Sequence, residues 1–147
     1  SMQPTHATSD MPWAEARVGK ERLLFACAWR AMLDAKVPLA FGSDFPVEHP
    51  NPLWGLYSAR TRQDQSRQPP GGWTPGQKLT GAEALSAFTQ GAAFASFAET
   101  RRGRLATGFD ADFVVLPIDP VDGDVKALVD AKVTMTVVRG VDVYRAQ

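Results

Sequence analysis

Apolar residues along this 147-residue chain recur in more than one period, and each period predicts its own kind of element. Residues 2–18 are polar and interrupted by Pro4 and Pro12, which reads mostly as loop, with a short strand before Pro4. From about Lys20 to Ala35 the residues Leu24, Cys27, Ala28, Ala31, Met32 and Ala35 return at helical spacing, so a helix with one apolar stripe is expected there. Val37-Pro38-Leu39-Ala40-Phe41 is then a continuous apolar run ending at Gly42, the pattern of a strand buried on both faces. Such strands belong to parallel sheets, and a helix followed by a buried strand is one step of a βαβ architecture.

Asn51 followed by Pro52 is a helix start, with Asn as N-cap and Pro at the first helical position, and this helix is expected to run to about Arg62. Residues 63–78 form a long loop broken by Pro and Gly, in which Trp73 and Arg67 favour a covering or functional role. Thr80 and Glu83 have capping-box spacing and predict a helix from near Gly81 to about Phe97. Its many small residues would let it approach a sheet closely. Beyond Gly103 the pattern changes to short strands. Phe113–Leu116 reads as a strand, Val125–Val129 as a short helix, and Val133–Val138 with Val141–Tyr144 as a hairpin turning at Arg139-Gly140. The expected division is therefore 1–102 and 103–147.

Length adds a limit. A complete (β/α)₈ barrel needs roughly 200 residues or more, so barrel-like signals here describe a piece of one. Sixteen Lys plus Arg balance sixteen Asp plus Glu, which argues against a general attraction to nucleic acid or to an anionic membrane. The acids Asp110, Asp112, Asp119, Asp122, Asp124 and Asp130 are scattered among turns without EF-hand spacing, so a solvated face is expected. Cys27 is the lone cysteine and cannot form an internal disulfide. With no apolar run near the ~18 residues of a membrane span and no signal-peptide pattern, the expected localisation is cytoplasmic.

Asp44 is the strongest candidate for chemistry. It lies just beyond the C-terminal end of the predicted buried strand, the edge where ligands and catalytic groups gather in parallel α/β folds. A carboxylate there can bind a metal or take a proton from a metal-bound water. Gly42-Ser43-Asp44 is equally ordinary turn chemistry. His6 could line a pocket at the end of a preceding strand, and His49 could sit on the loop after Asp44, or either could be a surface histidine. Cys27, on the apolar stripe, reads as a structural thiol. The glycines form no phosphate-loop pattern.

The ordered stretches QPTHATSD (3–10), FGSDFPVEHPNP (41–52), SARTRQD (58–64), PPGGWTPGQKLTGAEAL (69–85), GAAFASFAE (91–99) and GRLATGFDADFVVLPIDP (103–120) resemble one family. That family is the amidohydrolase superfamily, in the large branch that includes the N-substituted formamide deformylases, and VTMTVVRGVDVY (133–144) fits as well. The resemblance implies a metal-dependent hydrolase of carbon–nitrogen bonds. Its implied fold is α/β: the last strands and helices of a partial (β/α)₈ (TIM) barrel, followed by the C-terminal strands of a small β-sandwich. On this mapping residues 3–8 follow the seventh strand and 37–44 form the eighth. Asp44 matches a metal ligand that also shuttles protons, and His6 matches a position near the substrate. A divalent metal, zinc by preference, and a small amide substrate are implied for the intact family.

The family's metal site also needs an HxH pair, a bridging acid or carboxylated lysine, and further histidines, none of which this sequence contains. One carboxylate cannot hold zinc usefully, since such sites take three or four protein ligands. The expectation is a C-terminal portion, inactive and without bound metal by itself. The alternative is a non-catalytic module that completes its fold by forming a homo-oligomer or a domain-swapped dimer, because a partial barrel exposes strand edges and apolar helix faces.

Overall fold

The structure, a computed structural model, describes residues 1–147. It opens on a helix where the sequence reads as loop. α1 (Pro4–Val18) has Pro4 in its first turn, where a missing N–H carries no penalty, and contains Pro12 in its interior. Packing overrides that proline: Pro4, Thr5, Ala7, Thr8 and Ala14 are buried, and these small side chains let α1 lie against α3 (Pro52–Thr61). A face built of Ala and Thr has little hydrophobic contrast, so the periodicity does not reveal it.

The single helix expected over 20–35 is divided. A 3₁₀ turn spans Arg22–Phe25 and α2 spans Trp29–Asp34. Between them Cys27 takes φ 49°, a left-handed conformation that ends any continuous helical stripe. Leu24 and Phe25 stay exposed while Trp29 is fully buried.

The 37–41 run is extended, but it builds no parallel sheet. One parallel bridge pairs Met2 with Phe41, and the Met2 N–H donates to the Ala40 carbonyl at 2.9 Å. Leu39, Ala40 and Phe41 are buried as expected, whereas Val37 is exposed. The Phe41 N–H donates to the Ala87 carbonyl at 2.9 Å. Ala87 begins a π-helical turn, Ala87–Gly91, between α4 (Gly81–Ser86) and α5 (Ala92–Ala95). The helix expected over 81–97 therefore forms, with its middle widened where it meets the extended segment. Gly91 is required there, because a Cβ would collide with the Leu39 carbonyl oxygen.

The cap predictions hold. Asn51 Oδ1 accepts the Leu53 N–H at 3.0 Å. The Thr80 hydroxyl accepts the Glu83 N–H, and the Glu83 carboxylate accepts the Thr80 N–H at 2.8 Å. The C-terminal segment forms an antiparallel sheet, ordered β1 (Phe113–Val115), β2 (Met135–Val138), β3 (Val141–Arg145). Arg139 and Gly140, at φ 52° and 76°, make the tight turn of the expected hairpin. A 3₁₀ turn over Val125–Leu128 stands where a short helix is expected, and its buried Leu128 joins the apolar cluster containing Ala7, Trp29, Phe41 and Tyr57. The architecture is thus mixed α and β, with its only extended sheet antiparallel. No helix is long and apolar enough to cross a membrane.

Candidate functional site

The Met2–Phe41 bridge sets two chain segments side by side and running in the same direction. The segments that follow them, the first turn of α1 at Pro4–His6 and the turn at Gly42–Asp44, consequently emerge at one edge of the molecule. The edge is tied together further out: the Ser9 hydroxyl donates to Glu48 Oε1 at 2.6 Å, linking α1 to the loop beyond Asp44. His6 is half-buried, and its Nε2 is enclosed with no hydrogen-bond partner. Asp44 is exposed, with φ 55°, and its carbonyl accepts the Val47 N–H at 2.9 Å. Aspartate tolerates this left-handed conformation better than most residues. The structure records no hydrogen bond between His6 and Asp44.

His49 lies further along the same loop. It is exposed, its Nδ1 accepts the Asn51 N–H at 3.2 Å, and its ring rests on Trp54 with centroids 4.3 Å apart. A cavity of about 160 Å³ lies between these turns, lined by Thr5, Ser43, His49 and Asn51 among others. Neither His6 nor Asp44 is part of its wall.

Cys27 is not on an apolar helical stripe but at the break before α2. Burial pushes its thiol above the ordinary range, and the nearby Arg62 guanidinium opposes that shift. An inert, structural thiol fits this environment.

The residue that sequence reading misses is Arg62. It caps α3 with φ 59° and is fully buried, with no carboxylate partner. Its guanidinium lies 4.3 Å from the Trp29 ring centroid and 5.0 Å from that of Trp73. Nε donates to the Trp73 carbonyl at 2.8 Å, Nη1 to the Cys27 carbonyl at 3.0 Å, and Nη2 to the Thr74 hydroxyl. Burial lowers its pKa to about 10. Arg62 thus fastens the 63–78 loop and the break at Cys27 to the end of α3. Nothing in the spacing of SARTRQD separates this arginine from Arg60, whose Nη1 reaches the Pro120 carbonyl.

The donor chemistry can be tested against the metal that the family resemblance implies. No group of three or more His, Cys, Asp or Glu side chains converges so as to hold a metal ion. His6 Nε2 is an orphaned nitrogen and Asp44 a free carboxylate, but two such groups fall short of the three or four ligands a zinc site takes. His6 and Asp44 do not make a metal site by themselves.

A sequence model of the Amidohydrolase family matches residues 1–144. The chain is 36% identical over 143 residues to the YtcJ protein of Bacillus subtilis (strain 168), named as an amidohydrolase; the match covers 97% of this chain and 27% of that protein. It is 33% identical over 112 residues to the N-substituted formamide deformylase of Arthrobacter pascens, covering 76% of this chain and 20% of the enzyme. Among solved structures, an uncharacterized metal-dependent hydrolase from Pyrococcus horikoshii OT3 superposes with a TM-score of 0.72 at 30% identity, over 82% of this chain and 24% of that one. The chain belongs to the amidohydrolase family. It spans about a quarter of the length of the curated relatives it matches.

Proposed function

We propose that this chain is the C-terminal portion of a metal-dependent amidohydrolase acting on carbon–nitrogen bonds of small, non-peptide amides or formamides. In this reading residues 1–102 are the last part of a (β/α)₈ barrel and residues 103–147 the C-terminal share of a β-sandwich. The observation that carries it is the parallel juxtaposition of Met2 and Phe41, which brings the His6 and Asp44 turns to one edge. Adjacent parallel segments with polar residues just past their C-terminal ends are how barrel enzymes assemble active sites. Asp44 acts there as the proton shuttle. Its carboxylate takes a proton from the attacking water and returns it to the departing amine, so that water is split between the acid and amine products. It also supplies one ligand of a divalent-metal site whose other ligands lie outside this sequence. His6, with its unpartnered Nε2, contacts the substrate. By itself the chain neither holds zinc tightly nor turns over amides.

The test is a chimera in which residues 1–144 replace the matching stretch of the formamide deformylase, assayed for amine release with metal content measured in parallel. Asp44→Asn should lower kcat by roughly 10²–10⁴-fold, the range typical of a lost general acid–base group. A folded Asp44→Asn chimera with full activity refutes the role. Tight stoichiometric zinc binding, or real turnover, by the 147-residue chain refutes its inactivity.

A second reading has its own observation. Phe97, Phe25 and Leu105 are 94%, 78% and 71% exposed, and every residue of β3 is exposed at the sheet edge. Surfaces of this kind favour self-association, as a homo-oligomer or by domain swapping. Light scattering at high concentration decides, and a stable monomer removes this reading.

A further inference from the structure

Residues 43–51, the loop that carries Asp44, are held to the rest of the molecule by few direct ties. Its two ends are fixed, by the Met2–Phe41 bridge before it and by the Asn51 cap of α3 after it. Between them the hydrogen bonds stay within the loop. The Val47 N–H donates to the Asp44 carbonyl at 2.9 Å, the Phe45 N–H to Ser43 Oγ at 3.3 Å, and the Asn51 N–H to His49 Nδ1 at 3.2 Å. Burial adds little along its middle, where Phe45 and Val47 are 66% and 67% exposed. One hydrogen bond joins the loop to a distant part of the chain, from the Ser9 hydroxyl of α1 to Glu48 Oε1 at 2.6 Å. A hydroxyl that donates to a carboxylate is charge-assisted, and this distance lies in the short range such bonds take. Glu48 is half-buried, and Ser9 is its one hydrogen-bond partner.

We infer that Glu48 is a positioning residue: through Ser9 it holds the Asp44 loop against α1 and so fixes Asp44 relative to His6. This rests on the reading of Asp44 as proton shuttle, and it names what keeps that shuttle in place. Ser9 stands three residues beyond His6 on α1, and Glu48 four residues beyond Asp44. The exposed Asp44 carboxylate has no donor to hold it, so the placement of its backbone decides where it lies. Proton transfer is sensitive to that placement, since a shift of about 1 Å in a reacting group can cost roughly 10²-fold in rate. The Ser9 hydroxyl has a second acceptor, the His6 carbonyl at 3.2 Å, and its one proton goes to the shorter, charged contact. Without Glu48 the hydroxyl turns back onto α1 and stays satisfied. The helix then keeps its bonding and the loop alone is released.

Two measurements test it. In the 147-residue chain, amide nitrogen relaxation should give order parameters of about 0.85 for Asp44, Phe45 and Val47, falling below about 0.6 in Glu48→Ala and in Ser9→Ala. Glu48→Gln keeps the acceptor and Ser9→Thr the hydroxyl, so both should stay near the parent values, as should α1 in every variant. In the formamide deformylase chimera, Glu48→Ala should lower kcat about tenfold with KM within about twofold, and Glu48→Gln should restore most of the loss. In an Asp44→Asn background the same Glu48→Ala change should cost less than about twofold, because the group being positioned is gone. Unchanged loop order parameters in both alanine variants overturn the tie. An equal fractional loss of kcat in the Asp44→Asn background overturns the positioning role. So does a parent-like kcat for Glu48→Ala where Asp44→Asn is crippled, and that result leaves the shuttle reading standing. A fully active Asp44→Asn chimera overturns the shuttle and the positioning role together.

Discussion

Arg62→Met is the perturbation that most directly probes how this chain holds itself together. Methionine keeps most of the side-chain volume between Trp29 and Trp73 and removes the charge and its donors. Hydrogen bonds from a charged donor contribute about 1.5–3 kcal/mol each, and a desolvated cation–π contact about 2 kcal/mol. Arg62 makes three of the former and two of the latter. Against them stands a desolvation penalty of several kcal/mol for the fully buried guanidinium. Contributions within one such network are not additive, and what decides the variant is what is left behind. The Cys27 carbonyl retains the Trp29 N–H, but Arg62 is the one donor to the Trp73 carbonyl. With that carbonyl and the half-buried Thr74 hydroxyl left without a donor, the expected loss is about 3 kcal/mol. At this chain length that lowers Tm by about 10 °C. Urea unfolding followed by tryptophan fluorescence measures the global term. Hydrogen exchange of the Trp73 amide, which bonds to the Arg62 carbonyl at 2.8 Å, reports whether the loop detaches first. Arg62→Lys should recover less than half of the loss, because a point-like ammonium cannot span three divergent acceptors. A Met variant within 1 kcal/mol of the parent (roughly a fivefold change in the unfolding constant) would show that the two indoles, not the charge, do the holding.

The remaining expectations are briefer. Glu83 is held down to about 2 by the Arg30 guanidinium first, then by hydrogen bonds from the Thr80 backbone and hydroxyl. Because this folded pKa lies below the unfolded value of 4.5, its stabilisation is complete above pH 4.5 and is lost as pH falls towards 2. Glu83→Gln should flatten that slope and, the pair being partly exposed, lower stability at pH 7 by only about 1 kcal/mol, read from urea midpoints at pH 7 and pH 3. Gly91→Ala, which in an ordinary helix interior gains up to about 1 kcal/mol, should here lose about 1–3 kcal/mol through the collision with the Leu39 carbonyl. Thermal unfolding gives the sign directly. Asp44→Asn should leave stability within about 0.5 kcal/mol, because the side chain is exposed and asparagine accepts the same left-handed backbone; circular dichroism melting checks this.

Local chemistry was readable wherever its cause is local. The Asn51-Pro52 start, the Thr80–Glu83 box and the Arg139-Gly140 turn each depend on residues within a few positions of one another, and each forms as expected. The family, too, was legible, because its segments recur in order along the chain. What misled was contrast. α1 buries Ala and Thr instead of large apolar side chains, so it passed for loop, while Leu24 and Phe25 looked like core and are exposed. The candidate site was half visible: Asp44 and His6 could be picked out as types at plausible positions, whereas the orphaned Thr5 hydroxyl and the buried Arg62 could not.

By itself, then, the sequence determined the caps, the hairpin turn, the balance of charge and the family. Those follow from side-chain chemistry acting over a few residues, or from the order of motifs. Tertiary structure decided where the helices break and which polar groups lose water. The helix breaks at Cys27, whose carbonyl accepts the Arg62 guanidinium from the end of α3, and the helix at Ala87–Gly91 widens where it meets the backbone of Leu39 and Phe41. Both outcomes depend on partners 35 or more positions away, whose approach no short-range pattern encodes.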